Sequence, residues 1–273
     1  MTLLDLFKIE YRKFHKSAVL RLLIILYVIL TPLIIFAGKK IFPKEVQNDL
    51  PFTVDMFYEF PTVWEYQGYI SSWITFIFLS FIAIHIFCSE VQNKTMRQSI
   101  INGMTRTQFF TSKVISIIFL SLLATAFFYI TCLLIGFYHT PNPSFAKLWN
   151  NDYAGIRYFL SCMGHLSFAF LLAVLIRRSG IALFLYLAYV VMLEPGIRWL
   201  IYFKFLRSKA ILYFPLNTME DLFPFPPYKF AEAIPDDIDI PLLISQGQAM
   251  LFTIIYIVVF LFIGYSRFMK KDI

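Results

Sequence analysis

Along the chain, long uncharged apolar runs alternate with short charged stretches. The runs cover residues 22–38, 68–89, 114–138, 158–176, 179–193 and 240–266. A bilayer core needs about 20 mostly apolar residues in helical form, so these runs predict six membrane-spanning helices. The fifth run is short, and it reaches the required length if Glu194 and Pro195 lie inside the helix and the helix continues toward Tyr202. The sixth is longer than a crossing needs and is expected to begin near Gln246. The expected spans are therefore 21–38, 68–89, 112–138, 157–176, 179–202 and 246–266, within one transmembrane domain over residues 1–273. An even number of crossings places both termini on one side. The fold class is all-α integral membrane.

Between the runs the polar pattern changes character. Over residues 3–18, Leu3, Leu4, Phe7, Tyr11, Phe14 and Ala18 share one arc of a helix, with Asp5, Lys8, Arg12, Lys13 and Lys16 opposite. Leu6, Ile9 and Glu10 break that pattern. A basic amphipathic helix leading into a span is expected to lie in the interface plane, here over residues 1–20. The alternative is a solvated basic leader that only fixes topology.

Residues 89–113 read SEVQNKTMRQSIINGMTRTQFFTSK. Asn102-Gly103 is a helix stop, because glycine tolerates the left-handed conformation of a C-terminal cap. Thr105 with Gln108 matches the capping box that starts a new helix. The spacing thus predicts a helical elbow: the second span runs on, breaks and turns back into the third. Such an elbow offers Glu90, Lys94, Arg97 and Arg106 to the solvent. On spacing alone, a charged loop that merely fixes orientation explains these residues equally well.

Two further segments separate spans on the other side. Residues 39–67 carry Phe52, Phe57, Tyr58, Phe60 and Trp64. Residues 202–246 carry Pro215, Pro224, Pro226, Pro227, Pro235 and Pro241 with the acidic cluster Asp236, Asp237 and Asp239. The second is expected to be a re-entrant or capping segment before the last span, built from turns and short helices.

Composition agrees with a membrane protein. The chain is 59% hydrophobic and 15% charged, where soluble domains average about 45–50% and about 25%. Its net charge of +7 would suggest nucleic acid in a soluble protein. Here the cations flank spans, which points to lipid headgroups and away from nucleic acid. Lysines and arginines crowd on the side of the termini: Lys8, Arg12, Lys13, Lys16 and Arg21, then Lys94, Arg97, Arg106 and Lys113, then Arg177 and Arg178, then Arg267, Lys270 and Lys271. The only acids there are Asp5, Glu10, Glu90 and Asp272. That side is expected to be cytoplasmic. Trp64, Trp73, Trp149 and Trp199 fall toward the opposite ends, as an aromatic belt would. No cleavage site follows the first apolar run, so no secretory signal is expected.

Motifs for chemistry are sparse. Gly38-Lys39 lacks the rest of a phosphate-binding loop, and HExxH, paired CxxC and GxSxG are absent from the sequence. Cys88, Cys132 and Cys162 each lie in an apolar run and form no disulfide framework. His85 and His165 lie in the second and fourth spans, where they could meet as part of a metal or catalytic site, or simply satisfy hydrogen bonds. Glu194 is an ionisable residue at membrane depth, a functional candidate by default. Arg198, four residues on, is spaced for an intrahelical ion pair with it. Pro195 predicts a kink there.

The order of these parts resembles the ABC-2 type permease family, the membrane subunits of ABC exporters, over essentially the whole chain. The stretch Glu90 … Thr95-Met96-Arg97 … Gly103-Met104-Thr105-Arg106 … Phe109 … Lys113 is similar to that family's signature after its second span. Phe214-Pro215-Leu216 and the end Phe268-Met269-Lys270-Lys271-Asp272 add support. Together they look like the permeases encoded beside a separate ATPase in bacteria of the Bacteroides type. The resemblance implies a subunit of the bacterial cytoplasmic (inner) membrane, both termini cytoplasmic, with no enzymatic activity and no cofactor of its own. Two ABC ATPase subunits would use ATP and Mg, and a second copy of the chain or a paralogue would complete the complex. Residues 91–102 would be the coupling helix, with Glu90, Lys94, Thr95, Arg97 and Arg106 transmitting the ATPase stroke and Gly103 as the backbone break. The cargo would be hydrophobic or amphipathic and exported. Two other functions remain compatible with the sequence. One is a non-pumping membrane sensor or immunity protein. The other is an intramembrane enzyme using His85, His165 or Glu194.

Overall fold

The computed structural model describes residues 3–41, 53–142, 148, 153–200, 209–226 and 243–271. Helix α1 (Leu3–Lys16) leads into α2 (Ala18–Ile41), and α3 (Val63–Gln92) follows. The short α4 (Thr95–Ile101) separates α3 from α5 (Arg106–His139). Then come α6 (Ala154–Ile176), α7 (Ser179–Ala188), a π-helical turn at Tyr189–Leu193, and α8 (Glu194–Leu200). The short α9 (Pro215–Glu220) precedes the last helix, α10 (Gln246–Lys270). Among the described residues there is no strand, and six helical stretches are long and apolar enough to cross a membrane. The protein is an all-α, multi-pass membrane protein.

Helices α3 and α6 form the centre. In their most apolar windows 67% and 72% of residues are buried, against at most 39% in the other four spans. Because lipid offers no hydrophobic drive between helices, close packing and interhelical hydrogen bonds must hold them. The Tyr27 and Tyr158 hydroxyls lie 2.8 Å apart, tying α2 to α6, and Thr75 of α3 lies 3.0 Å from Tyr158. Ser80 of α3 donates to the Tyr186 hydroxyl of α7 at 2.9 Å.

Several helices overrun their apolar runs, for identifiable reasons. Helix α3 begins at Val63 rather than near residue 68, because Glu65 and Gln67 find partners inside the bundle, Arg157 and Thr131. The fifth span does carry Glu194 and Pro195 within it. Pro195 has no N–H to donate and its ring crowds the carbonyl of Val191. The helix accommodates this by widening into the π turn just before it. Helix α10 starts at Gln246 behind a complete capping box of Ser245 and Gln248.

The two ends of the bundle differ. At one lie α1, the elbow around α4 and the end of α10; this elbow end carries both termini of the described chain. At the other, α9 and the residues after it cover the ends of α3, α6 and α8. The aromatic residues Phe57, Tyr58, Phe60 and Trp64 are buried at that cap end. Trp64 therefore packs against Phe60, Phe128 and Tyr129 instead of serving as a headgroup anchor. Trp73 is exposed, while Trp149 and the Trp199 side chain lie outside the described residues. Phe52, Pro227, Pro235, Pro241 and the Asp236, Asp237 and Asp239 cluster also lie outside them.

Candidate functional site at the helical elbow

Two backbone breaks make the elbow. Helix α3 stops at Gln92, and Lys94 takes a left-handed conformation at φ 58°. Helix α4 therefore begins at Thr95, later than the residue 91 that the family resemblance implies. It ends in a Schellman motif: Met104 N–H donates to the Ser99 carbonyl at 3.1 Å and Gly103 N–H to Ile100 at 3.0 Å. Gly103 sits at φ +97°, where a side chain would strain the backbone. Thr105 and Gln108 then form the expected capping box and start α5.

The inner face of the elbow is a buried charge cluster. Lys113 of α5 is 1% exposed and lies 2.8 and 2.9 Å from the two carboxylate oxygens of Glu10. The same ammonium binds Glu90 of α3. Lys13 of α1 reaches Glu90 at 2.9 Å and Glu10 at 3.4 Å. Ser112 and Ser116 donate to Glu10 at 3.2 and 3.4 Å. Two acids thus meet two bases, joining α1, α3 and α5. Burial pushes the Glu10 carboxyl up, but the ammoniums of Lys113 and Lys13 outweigh it and hold it below the usual carboxylate range. Burial likewise opposes the charge on Lys13, and Glu10 and Glu90 more than restore it, leaving its pKa raised.

The rest of the sequence signature falls around this cluster. Thr95 donates its hydroxyl to the Glu90 carbonyl at 3.2 Å, bridging the first break. The Phe109 ring lies 5.0 Å from the Lys113 ammonium. Phe87, Phe109, Phe110, Phe170 and Phe268 interlock beneath it, tying α3, α5, α6 and α10. Arg106 donates to the carbonyls of Met269 at 3.1 Å and Lys271 at 3.2 Å, capping the end of α10.

Of the four charged residues expected on the solvent side, the structure leaves only Lys94 and Arg97 exposed. Glu90 is buried in the ion cluster and Arg106 is turned toward α10, because each finds partners on neighbouring helices whose packing the local sequence does not fix. The outer face of α4 also presents Ile101, 82% exposed. Glu10, which breaks the amphipathic pattern of α1, belongs to the cluster although no expected site includes it. Its signal was present: an acid interrupting the apolar arc of a basic helix. The helix buries Leu6 and Glu10 against the bundle, while Tyr11 of the expected apolar arc stays 54% exposed.

The other candidates separate. Glu194 and Arg198 do not form the expected ion pair. Glu194 accepts the Asn217 N–H at 2.9 Å at the start of α9, and Arg198 pairs with Glu220 at 2.8 Å and with the Asn217 side chain. Asn217 donates to Asp221 at 2.8 Å, and Asp221 also accepts the Ile244 N–H at 3.3 Å. Burial raises the Asp221 pKa to about 6. His165 packs against Phe76 and lies 3.2 Å from the Tyr186 hydroxyl. His85 is nine residues from Phe76, about 14 Å along α3, so the two histidines do not meet. Among the described residues no group of three or more His, Cys, Asp or Glu gathers around a point where a metal could bind.

A further ion pair joins residues 92 positions apart, with no local pattern to mark it. Arg157, wholly buried at the start of α6, binds Glu65 of α3 and donates to the Leu222 carbonyl at 2.9 Å. Its guanidinium lies over Phe223. That ring occupies the space where a side chain at Gly68 would stand, 2.1 Å from a Cβ there.

A family model described as ABC-2 family transporter protein matches residues 4–273. No curated protein matches the chain.

Proposed function

Because the chain belongs to the ABC-2 family of transporter proteins, we propose that the outer face of α4 is the seat of a separate ATP-hydrolysing subunit. The family makes this chain the membrane component of an ABC transporter, partnered by an ABC ATPase. Transmission of force from such a partner requires an exposed contact surface on a stiff base. The observation that carries the proposal is that α4 has both. Lys94, Arg97 and Ile101 face outward, while Glu90, Lys113, Glu10 and Lys13 clamp its root to three helices.

In this mechanism the partner binds and hydrolyses ATP with Mg, and this chain converts the partner's movement into displacement of α3 and α5. Thr95 and the Gly103 turn fix where α4 pivots. Arg106 passes the same displacement to the end of α10. Two permeases, identical or paired, would dock on two ATPases and enclose a path between them. A path lined by phenylalanine, isoleucine and leucine suits export of a hydrophobic or amphipathic cargo. The crowding of lysine and arginine at the elbow end supports a cytoplasmic elbow and cytoplasmic termini in a bacterial inner membrane.

The test is co-purification of the chain with its ATPase. Arg97→Glu and Ile101→Glu should each reduce the retained ATPase about tenfold, the loss expected of a central interface residue. Ile101→Glu should keep the thermal midpoint of the isolated chain in detergent, since that position is 82% exposed. Wild-type retention in both variants would remove α4 as the docking element.

A further inference from the structure

A groove of about 220 Å³ opens between α1, α2 and α5, beside the ion cluster. Its walls are apolar: Phe7 and Tyr11 from α1, Ile24 from α2, and Phe119, Leu120 and Leu123 from α5. Phe7 and Phe119 meet edge to face at 4.9 Å. Glu10 and Ser116 also line it, but the Glu10 oxygens are already held by Lys113, Ser112 and Ser116, so the groove meets no uncompensated negative charge. His15 and Arg21, both exposed, complete the lining. Among the described residues neither side chain makes a hydrogen bond or ion pair.

We infer that this groove binds a phospholipid with an anionic headgroup, one acyl chain lying against Phe119 and Leu123 and the phosphate meeting Arg21 and His15. Three features of the place select that occupant. The flanking helices α2 and α5 cross the membrane, and Leu22, Ile25, Leu122 and Leu123 beside the groove are exposed apolar residues, so the bilayer covers it. The apolar part of the wall favours a hydrocarbon chain, since each methylene it covers leaves water. The two unengaged basic side chains stand where the first span begins, at headgroup level, and prefer a negative charge. The inference stands whether or not α4 seats an ATPase, since it needs only the position of the groove in the bilayer.

The full chain in nanodiscs of equal phosphatidylglycerol and phosphatidylcholine, released into detergent and weighed intact by native mass spectrometry, tests it. Wild type should retain phosphatidylglycerol in preference to phosphatidylcholine. Arg21→Glu, an exposed change, should abolish that preference, and Leu123→Trp, which fills the groove, should reduce retention of both lipids several-fold. Thermal unfolding in pure phosphatidylcholine nanodiscs checks that both variants remain folded. Unchanged phosphatidylglycerol retention in Arg21→Glu overturns the proposal. So does a wild-type chain with no preference between the two lipids. Loss in Arg21→Glu without any loss in a folded Leu123→Trp overturns it too, because that pattern is surface attraction and not a groove.

Discussion

At the elbow end, two lysines face two glutamates where three helices converge, and each buried charge is answered by an opposite one. At the cap end, the carboxylates of Glu194 and Asp221 are answered largely by backbone N–H groups of α9 and of the residue before α10's cap. The first arrangement stiffens a junction between long helices. The second holds a short covering segment in place, and it relies on that segment being seated before the carboxylates are satisfied. Burial raises both carboxyls, but the lysines at the elbow overturn it, so the net effect on protonation is opposite at the two ends. The Glu10 carboxyl is held below its ordinary pKa, and the Asp221 carboxyl is pushed above its own. The elbow is built to keep its charges, and the cap holds a carboxyl that burial favours neutral.

The largest effect should come from breaking the elbow. Lys113→Met leaves Glu10 and Glu90 buried with only the half-exposed Lys13 for compensation. A buried charge deprived of its partner costs about 3–5 kcal/mol, readable as a fall in thermal midpoint in detergent. Adding Glu10→Gln to that variant should recover part of the loss. No recovery would mean that Lys113 acts through packing on Phe109 and not through charge.

The corresponding break at the cap end is Arg157→Met. It strands Glu65 and releases the Leu222 carbonyl, a loss of about 3 kcal/mol. Because Arg157 also holds the covering segment, limited proteolysis after residue 200 should quicken in this variant and not in Lys113→Met. Equal cleavage in the two would erase the distinction between the ends.

Acid separates the two ends by sign. Asp221 has a folded pKa of about 6 against an ordinary value of 3.8. Between those values the folded chain holds a proton that the unfolded chain releases, so its contribution to stability falls as pH rises through that window. The difference is about 3 kcal/mol across it, and Asp221→Asn should remove it. Glu10 works the other way: its contribution is present above pH 4.5 and fades as pH falls below that. Unfolding profiles of Asp221→Asn and Glu10→Gln against wild type between pH 3 and 7, as roughly spaced points, should therefore bend in opposite directions. Profiles bending together would show that neither group dominates its own end.

The smallest effect is Glu194→Ala, which removes an acceptor from the first turn of α9 at about 1 kcal/mol. Glu194→Gln keeps an acceptor oxygen and should cost less. If Glu194→Gln is as harmful as alanine, the charge of Glu194 has a role beyond holding α9.

The elbow was far more legible than the cap. Its parts, from Glu90 to Lys113, lie within one stretch of chain, and local rules about glycine, threonine and glutamine located the turn at Gly103 and the start of α5. Those rules could not say that Glu90 and Arg106 turn inward, because Glu90 meets Lys113 only once α3 and α5 pack and also takes Lys13 of α1, and Arg106 turns to the carbonyls of residues 269 and 271. The cap assembles residues 65, 157, 194, 198, 217 and 221 from four separate stretches. Spacing offered Glu194 and Arg198 only each other, whereas each found a better-placed partner on the covering segment. His85 and His165 failed to meet for a related reason: sharing two packed helices says nothing of depth along them.

The sequence by itself determined that this is a six-span helical membrane protein, where its elbow bends, and that it resembles the ABC-2 permeases. Those properties follow from hydropathy over tens of residues and from backbone preferences within a few, neither of which needs a distant partner. Only the tertiary structure decided which charges are buried and paired, which face of α1 meets the bundle, and that Lys94, Arg97 and Ile101 are exposed. Pairing inside a bundle depends on helix rotation and depth, and packing between distant segments sets both.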